Sequence, residues 1–193
     1  GHAVAAVAAT TFAQARAALE AIVVDYEVLE PVLDIDGALR PDAPLVDEHR
    51  VTKGLDEMPE KPSNLAARLQ QARGDVQAGF AEADVIIEGE FATPLVHQGY
   101  IEPHACLAAA GADGRVTLWN CTQGHFDDRT NVARILNLPV ADVKVIPSEI
   151  GGGFGGKTTV YLEPVAVALS QRSGRPVKMV MSRDEVFRAT GPA

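Results

Sequence analysis

An α+β fold is what this sequence predicts, and three observations predict it. Two apolar runs, His104 to Ala110 and Arg115 to Gln123, flank Gly111-Ala112-Asp113-Gly114, and Asp-Gly between apolar runs signals an antiparallel hairpin. Strand-like runs at Val85 to Thr93 and Val143 to Ile146 are expected to pack beside that hairpin. A helical run from Glu163 to Arg172 is expected to cover them; Pro164 is tolerated in its first turn, and Gly174 and Pro176 stop it.

The elements follow in chain order. Val4 to Ala9 reads as a strand, and Thr11 with Gln14 forms a capping signature for a helix from Phe12 to about Glu20. Val24, Tyr26 and Val28 then alternate with Asp25 and Glu27, as a half-buried strand does. The first strand has no turn or cap before it, so the chain is expected to begin inside a domain. From Leu39 to about Pro62 four prolines punctuate a charged stretch, which reads as a surface crossing that contains a domain boundary. Asn64 to Arg73 reads as a short amphipathic helix, and Asp75 as the cap of a helical turn reaching Ala83. If Asp113 and Gly114 are the two central residues of the hairpin turn, Cys106 lies opposite Cys121. Asp127 to Leu136 reads as a helix ended by Asn137-Leu138-Pro139. Val177 to Met181 reads as a strand, and Ser182 with Glu185 as a second capping box.

Composition narrows the function. The 193 residues are 47% hydrophobic and 22% charged, the balance of a chain that builds a packed core. Lys plus Arg number 17 against 26 Asp plus Glu, and the resulting net charge of -9 repels a phosphate backbone, so no nucleic-acid partner is expected. No apolar stretch approaches the roughly 20 residues that cross a bilayer, and the Ala-rich start lacks a basic leader. No membrane partner and a cytoplasmic location are therefore expected. Cys106 and Cys121 fit neither a CxxC motif nor a disulfide scaffold and read as buried thiols. The five histidines show no HxxxH or HExxH spacing, so no protein-ligated metal is assigned.

The most informative stretch is Gly151-Gly152-Gly153-Phe154-Gly155-Gly156-Lys157-Thr158. Glycines allow positive φ and let backbone amides approach a ligand closely, so a phosphate-bearing or polar, flat cofactor is the natural guest. Taken literally the stretch also satisfies the GxxxxGK[ST] pattern of a P-loop, with Lys157 on phosphates and Thr158 on magnesium. Pro147-Ser148-Glu149 interrupting the strand that leads in argues against that reading.

The same loop resembles the pterin-contacting loop of the molybdenum hydroxylases, the xanthine dehydrogenase and aldehyde oxidase family. Four further stretches resemble that family in the same order: HQGYIEPHACLA (97–108), the strand ending Cys121-Thr122-Gln123, LNLPVADVKVI (136–146) and GRPVKMVMSRDE (174–185). Residues 1–32 resemble the second half of the α/β hammerhead domain that precedes the family's cofactor domain. The resemblance implies a fragment of a large subunit: residues 1–38 the C-terminal part of a hammerhead domain, 39–80 a linker, and 81–193 the first part of the molybdopterin-binding domain.

It also implies chemistry. Family enzymes bind a molybdenum cofactor, as molybdopterin or its cytosine dinucleotide, and use water to oxidise or hydroxylate an aldehyde, an N-heterocycle or a related small molecule. Electrons leave through 2Fe-2S and FAD groups on partner subunits or domains. By resemblance Gln123 donates its side-chain amide to the cofactor, Gly152, Gly153, Phe154 and Gly155 line it, and the Phe154 ring shapes the substrate side. Purine-hydroxylating members carry a Glu directly after the loop lysine, whereas Thr158 stands here, which speaks against xanthine as substrate. The family's catalytic base lies in the remainder of the large subunit, so no catalytic residue is assigned, Glu102 reads as a structural carboxylate, and the fragment alone is expected to be inactive. A non-catalytic remnant that binds partner subunits is the other alternative.

Overall fold

The computed structural model describes residues 3–57 and 59–191; His2 lies outside them. Its contacts divide into two units, one formed by residues 1–23 with 92–193 and the other by residues 24–91. In the first unit, helix α1 (Phe12–Glu20) begins as its cap predicts, with the Thr11 hydroxyl accepting from the Gln14 amide at 3.2 Å. The second unit holds α2 (Ile35–Leu39) and α3 (Val76–Glu82). Asp34 caps α2 through the Gly37 amide at 2.6 Å, and Asp75 caps α3 through Gln77 and Ala78.

The sheet lies in the first unit. Strands β1 (Ala105–Ala110), β2 (Val116–Asn120), β3 (Val143–Pro147) and β4 (Val177–Val180) are ordered β3-β2-β1-β4. The β1–β2 and β1–β4 pairs are antiparallel, and β2–β3 is parallel. The parallel step needs a crossover, which helix α4 (His125–Ile135) supplies. Helix α5 (Glu163–Ser173) ends at Gly174, whose φ of 64° is the left-handed conformation expected of a helix stop. Helix α6 (Arg183–Ala189) starts on the predicted capping box of Ser182 and Glu185.

One face of the sheet is the core. Cys106 and Ala108 of β1, Val116 and Leu118 of β2, Val143 and Val177 pack with Val132 and Ala133 of α4 and Ala166 and Val167 of α5. The alternation of the strands accounts for this, since every second side chain turns to the helices. Small residues on β1 let α5 come close enough for the Ser170 hydroxyl to accept from the Ala110 amide at 2.9 Å. The result is an α+β domain of one sheet layered with helices.

Five local expectations are overturned. The hairpin register pairs Cys106 with Asn120, not with Cys121. Its turn has three central residues, Ala112 to Gly114, closed by Gly111 N–H donating to Arg115 O at 2.8 Å, and Gly114 at φ 82° takes the left-handed position of that longer turn. One extra residue moves the partner by one, which also decides which side chains face the core. Neither Val4 to Ala9 nor Val24 to Val28 forms a strand, and Val85 to Thr93 forms none beside the hairpin; β4 takes that edge of β1. The stretch 85–93 has the right alternation but no ladder partner among the described residues, and Val85, Ile87 and Phe91 are exposed. Asn64 to Arg73 is not helical, because Ala67 forms an extended bridge with Lys53, with Lys53 N–H donating to Ala66 O and Arg68 N–H to Lys53 O.

Candidate functional site

The glycine loop leaves the end of β3 and folds back against the end of β2. Two side chains hold it. The Gln123 side-chain oxygen accepts from the amides of Gly155 at 3.0 Å and Lys157 at 3.3 Å, while the Gln123 backbone amide donates to Lys157 O at 2.8 Å. On the other side, Glu102 Oε2 accepts from the Gly151 amide at 2.8 Å and from Lys157 Nζ at 2.6 Å. Gly156 N–H closes an inner turn on Gly153 O at 2.7 Å.

The glycines are required by these close approaches. A Cβ on Gly153 would stand 2.4 Å from Gln123 Oε1, and one on Gly156 would stand 2.6 Å from the Tyr100 ring. Gly152 and Gly155 take φ of 95° and 87°. Phe154 takes φ of 49°, a conformation that L residues rarely adopt and that clusters at ligand sites, and its ring is 74% exposed.

Lys157 and Glu102 form an ion pair in which the lysine side chain is at 0% exposure and the glutamate side chain at 34%, with the ammonium 5.0 Å from the centre of the Tyr100 ring. Burial tends to raise the Glu102 carboxyl, but the bond from Lys157, the Gly151 amide and the lysine charge together hold it below the usual range. Tyr100 continues into a chain of hydrogen bonds. Its hydroxyl meets His104 Nε2 at 2.8 Å and Thr190 Oγ1 at 2.7 Å, Thr190 Oγ1 also meets His97 Nε2 at 3.0 Å, and the Thr190 hydroxyl donates to Val186 O at 2.7 Å. Thr190 has one proton and gives it to Val186, so Tyr100 donates to Thr190 and His104 Nε2 donates to Tyr100. Burial first, then the Lys157 and His97 charges, pushes the His104 imidazole down to about 4. Beneath β2, Asn120 Nδ2 donates to Asp128 at 2.8 Å and to Glu163 at 3.4 Å, tying the starts of α4 and α5 together. Burial raises both carboxyls.

The sequence-predicted residues therefore meet: Gln123, Gly152, Gly153, Phe154 and Gly155 lie at one place. They do not share one task. The Gly155 amide donates to Gln123, whereas the amides of Gly152, Gly153 and Phe154 have no partner among the described residues. Gly153 is buried, so its unpartnered amide is a donor that a bound acceptor atom can satisfy. Gln123 is exposed and uses only its side-chain oxygen, which leaves its side-chain N–H groups for a second partner. Adjacent donors on a glycine bed, beside an exposed aromatic ring, suit a flat group rich in acceptor atoms, as a pterin with its phosphate is. The P-loop reading fails on geometry: Lys157 Nζ is buried on Glu102, the Thr158 hydroxyl donates to Gly155 O at 3.0 Å, and α5 begins only at Glu163. Tyr100, Thr190 and the Glu102–Lys157 pair carry no signal in sequence spacing.

A fold and site of this kind define a cofactor-binding domain. The family described as molybdopterin cofactor-binding domain matches residues 58–193, and the chain belongs to it. It is 35% identical over 189 residues to a probable xanthine dehydrogenase subunit of Bacillus subtilis (strain 168), covering 98% of this chain and 24% of that protein. It is 34% identical to the "Nicotinate dehydrogenase large molybdopterin subunit" of Eubacterium barkeri, covering 96% of this chain and 40% of the relative. The CO dehydrogenase from Oligotropha carboxidovorans superposes with a TM-score of 0.79 at 34% identity, over 94% of this chain and 23% of that one. The chain thus spans between about a quarter and two fifths of the length of these relatives. Among the described residues no helix is long and apolar enough to cross a membrane.

Proposed function

We propose that the chain is the part of a molybdenum hydroxylase large subunit that grips one side of the molybdenum cofactor. The observation that carries this reading is the row of unpartnered amides at Gly152, Gly153 and Phe154 beside the free side-chain N–H groups of Gln123. When bound, the cofactor supplies the redox chemistry that oxidises an aldehyde, an N-heterocycle or a related small molecule with oxygen from water. The chain's own residues bind and orient. Loop amides donate to its polar edge, Gln123 donates a preorganised hydrogen bond where negative charge accumulates, and Phe154 walls the substrate side. Gly155 contributes by fixing Gln123 rather than by touching the cofactor.

The substrate is proposed to lie outside the xanthine class, because Thr158 turns its hydroxyl inward to Gly155 O. Electrons are proposed to pass to 2Fe-2S and FAD groups on partner subunits or domains, in a cytoplasmic enzyme whose pterin is bare molybdopterin or its cytosine dinucleotide. The division into 1–38, 39–80 and 81–193 belongs to the same proposal, as does inactivity of the chain alone.

The test is Gln123→Glu in the enzyme that carries this chain. Alanine would orphan the Gly155 and Lys157 amides, whereas glutamate keeps an acceptor for both and removes the donor. Turnover is expected to fall roughly a hundredfold to a thousandfold with molybdenum retained. A molybdenum-replete variant that turns over within a factor of about two of the parent refutes the role of Gln123.

A further inference from the structure

We propose that Glu102 is the positioning residue of the glycine loop: one carboxylate oxygen accepts from both of its ends and so sets where the amides of Gly152, Gly153 and Phe154 point. The inference rests on the reading of those amides as cofactor donors. Its geometry stands apart from that reading.

A stretch with five glycines in six positions has far more backbone freedom than an ordinary turn, and something must remove it. Gln123 fixes the return of the loop through Gly155 and Lys157. Its entry is fixed by Glu102, through Gly151 N–H at 2.8 Å, and its exit is fixed by the same oxygen, through Lys157 Nζ at 2.6 Å. Space at the entry is as tight as the bonds, for a Cβ on Gly151 would stand 2.7 Å from Glu102 Cβ.

The clamp is itself anchored. Glu102 N–H donates to Gly151 O at 3.2 Å, and the Arg183 guanidinium donates to the carbonyls of Tyr100 and Ile101, so α6 holds the segment from which Glu102 projects. Pro103 fixes φ at the next position. The Lys157 side chain is wholly buried, and the Tyr100 ring is its other neighbour. Removing the carboxylate therefore leaves a buried charge without a counter-charge and a loop open at both ends.

Two variants separate positioning from mere stability. Glu102→Leu removes both bonds and strands the lysine charge; Glu102→Leu with Lys157→Met removes the charge as well and keeps an apolar stem over Tyr100. In the 193-residue chain, hydrogen exchange read by mass spectrometry is expected to show the hydrogen-bonded loop amides of Gly151, Gly155, Gly156 and Lys157 exchanging at least about tenfold faster in both variants. The thermal midpoint, lowered in the single variant, is expected to recover in the double one. In the enzyme carrying this chain, elemental analysis is expected to show that both variants lose most of their molybdenum. Loop exchange within about a factor of two of the parent in either variant overturns the clamp, and so does a double variant that regains both midpoint and molybdenum. Absence of molybdenum from the parent enzyme overturns the cofactor reading instead, and the exchange measurement still decides the role of Glu102.

Discussion

Residues 24–91 and residues 92–191 are written in a similar alphabet of alternating apolar and polar positions, yet they end in different states. In the second stretch the alternation becomes a four-stranded sheet whose inner side chains meet α4 and α5. In the first it becomes two short capped helices and one isolated bridge between Lys53 and Ala67, with Val28, Leu33, Val85 and Ile87 exposed. Alternation states which face of a strand is apolar; it does not supply the neighbour that makes it a strand. The hairpin brings its own neighbour one short turn away, and the rest of the sheet grows on that pair.

The largest effect that tests this contrast belongs to the sheet. Leu118 is 0% exposed at the centre of the cluster, opposite Ala108 and beneath the helices. Leu118→Ala is expected to destabilise the sheet-bearing unit by about 2 to 5 kcal/mol in urea or thermal unfolding, the transfer and cavity terms together. A loss under about 1 kcal/mol would show that the cluster is loosely packed and that the contrast between the regions is overstated.

The second effect places a pH dependence in the site. His104 has its folded pKa pushed down to about 4 from 6.5, by burial and then by Lys157 and His97. Between those values the unfolded chain binds a proton that the folded chain does not. The contribution of His104 is therefore fully present above pH 6.5 and is lost as pH falls toward 4, about 3 kcal/mol in all. Asp128 and Glu163, raised by burial, run the other way and lose their contribution as pH rises above the ordinary carboxylate range. The difference between parent and His104→Gln isolates the histidine, since glutamine still donates to Tyr100 without titrating. Parallel stability profiles from pH 4 to 6.5 would place the imidazole in a wetter environment than its burial implies.

Features whose cause is local are legible in the sequence. Caps at Thr11, Asp75 and Ser182, the stop at Gly174 and the glycine run itself all declare themselves within a few residues, whereas Gln123, 32 positions before Gly155, is singled out only by the family resemblance. The hairpin was legible and its register was not, because one residue more in the turn changes every partner while leaving the composition unchanged. The cap of α2 at Asp34 was missed although its signal was present. Glu102 and Lys157 are 55 positions apart, and His97 and Thr190 are 93 apart; nothing in their spacing announces a pairing that only the folded sheet and α6 create. The division of labour inside the loop was hidden for the same reason: which amide bonds Gln123 and which remains open depends on left-handed turns at Gly152, Phe154 and Gly155.

The smallest effect is the sharpest test of what alternation alone is worth. Ile87 sits at a strand-like position of Val85 to Thr93, and the pattern there is as regular as that around Leu118. It is 90% exposed and pairs with no strand among the described residues. In this chain Ile87→Ala is expected to change stability by less than about 0.5 kcal/mol, as surface substitutions do, and to leave the cooperativity of unfolding untouched. Exposure is the deciding quantity, since a β-branched side chain stabilises a sheet through cross-strand neighbours and burial rather than through an intrinsic backbone preference. Measured beside Leu118→Ala under the same conditions, the pair gives the difference that burial makes to one pattern in two places. A loss above about 1.5 kcal/mol at Ile87 would mean that this stretch is packed in solution and that the contrast between the two regions is wrong.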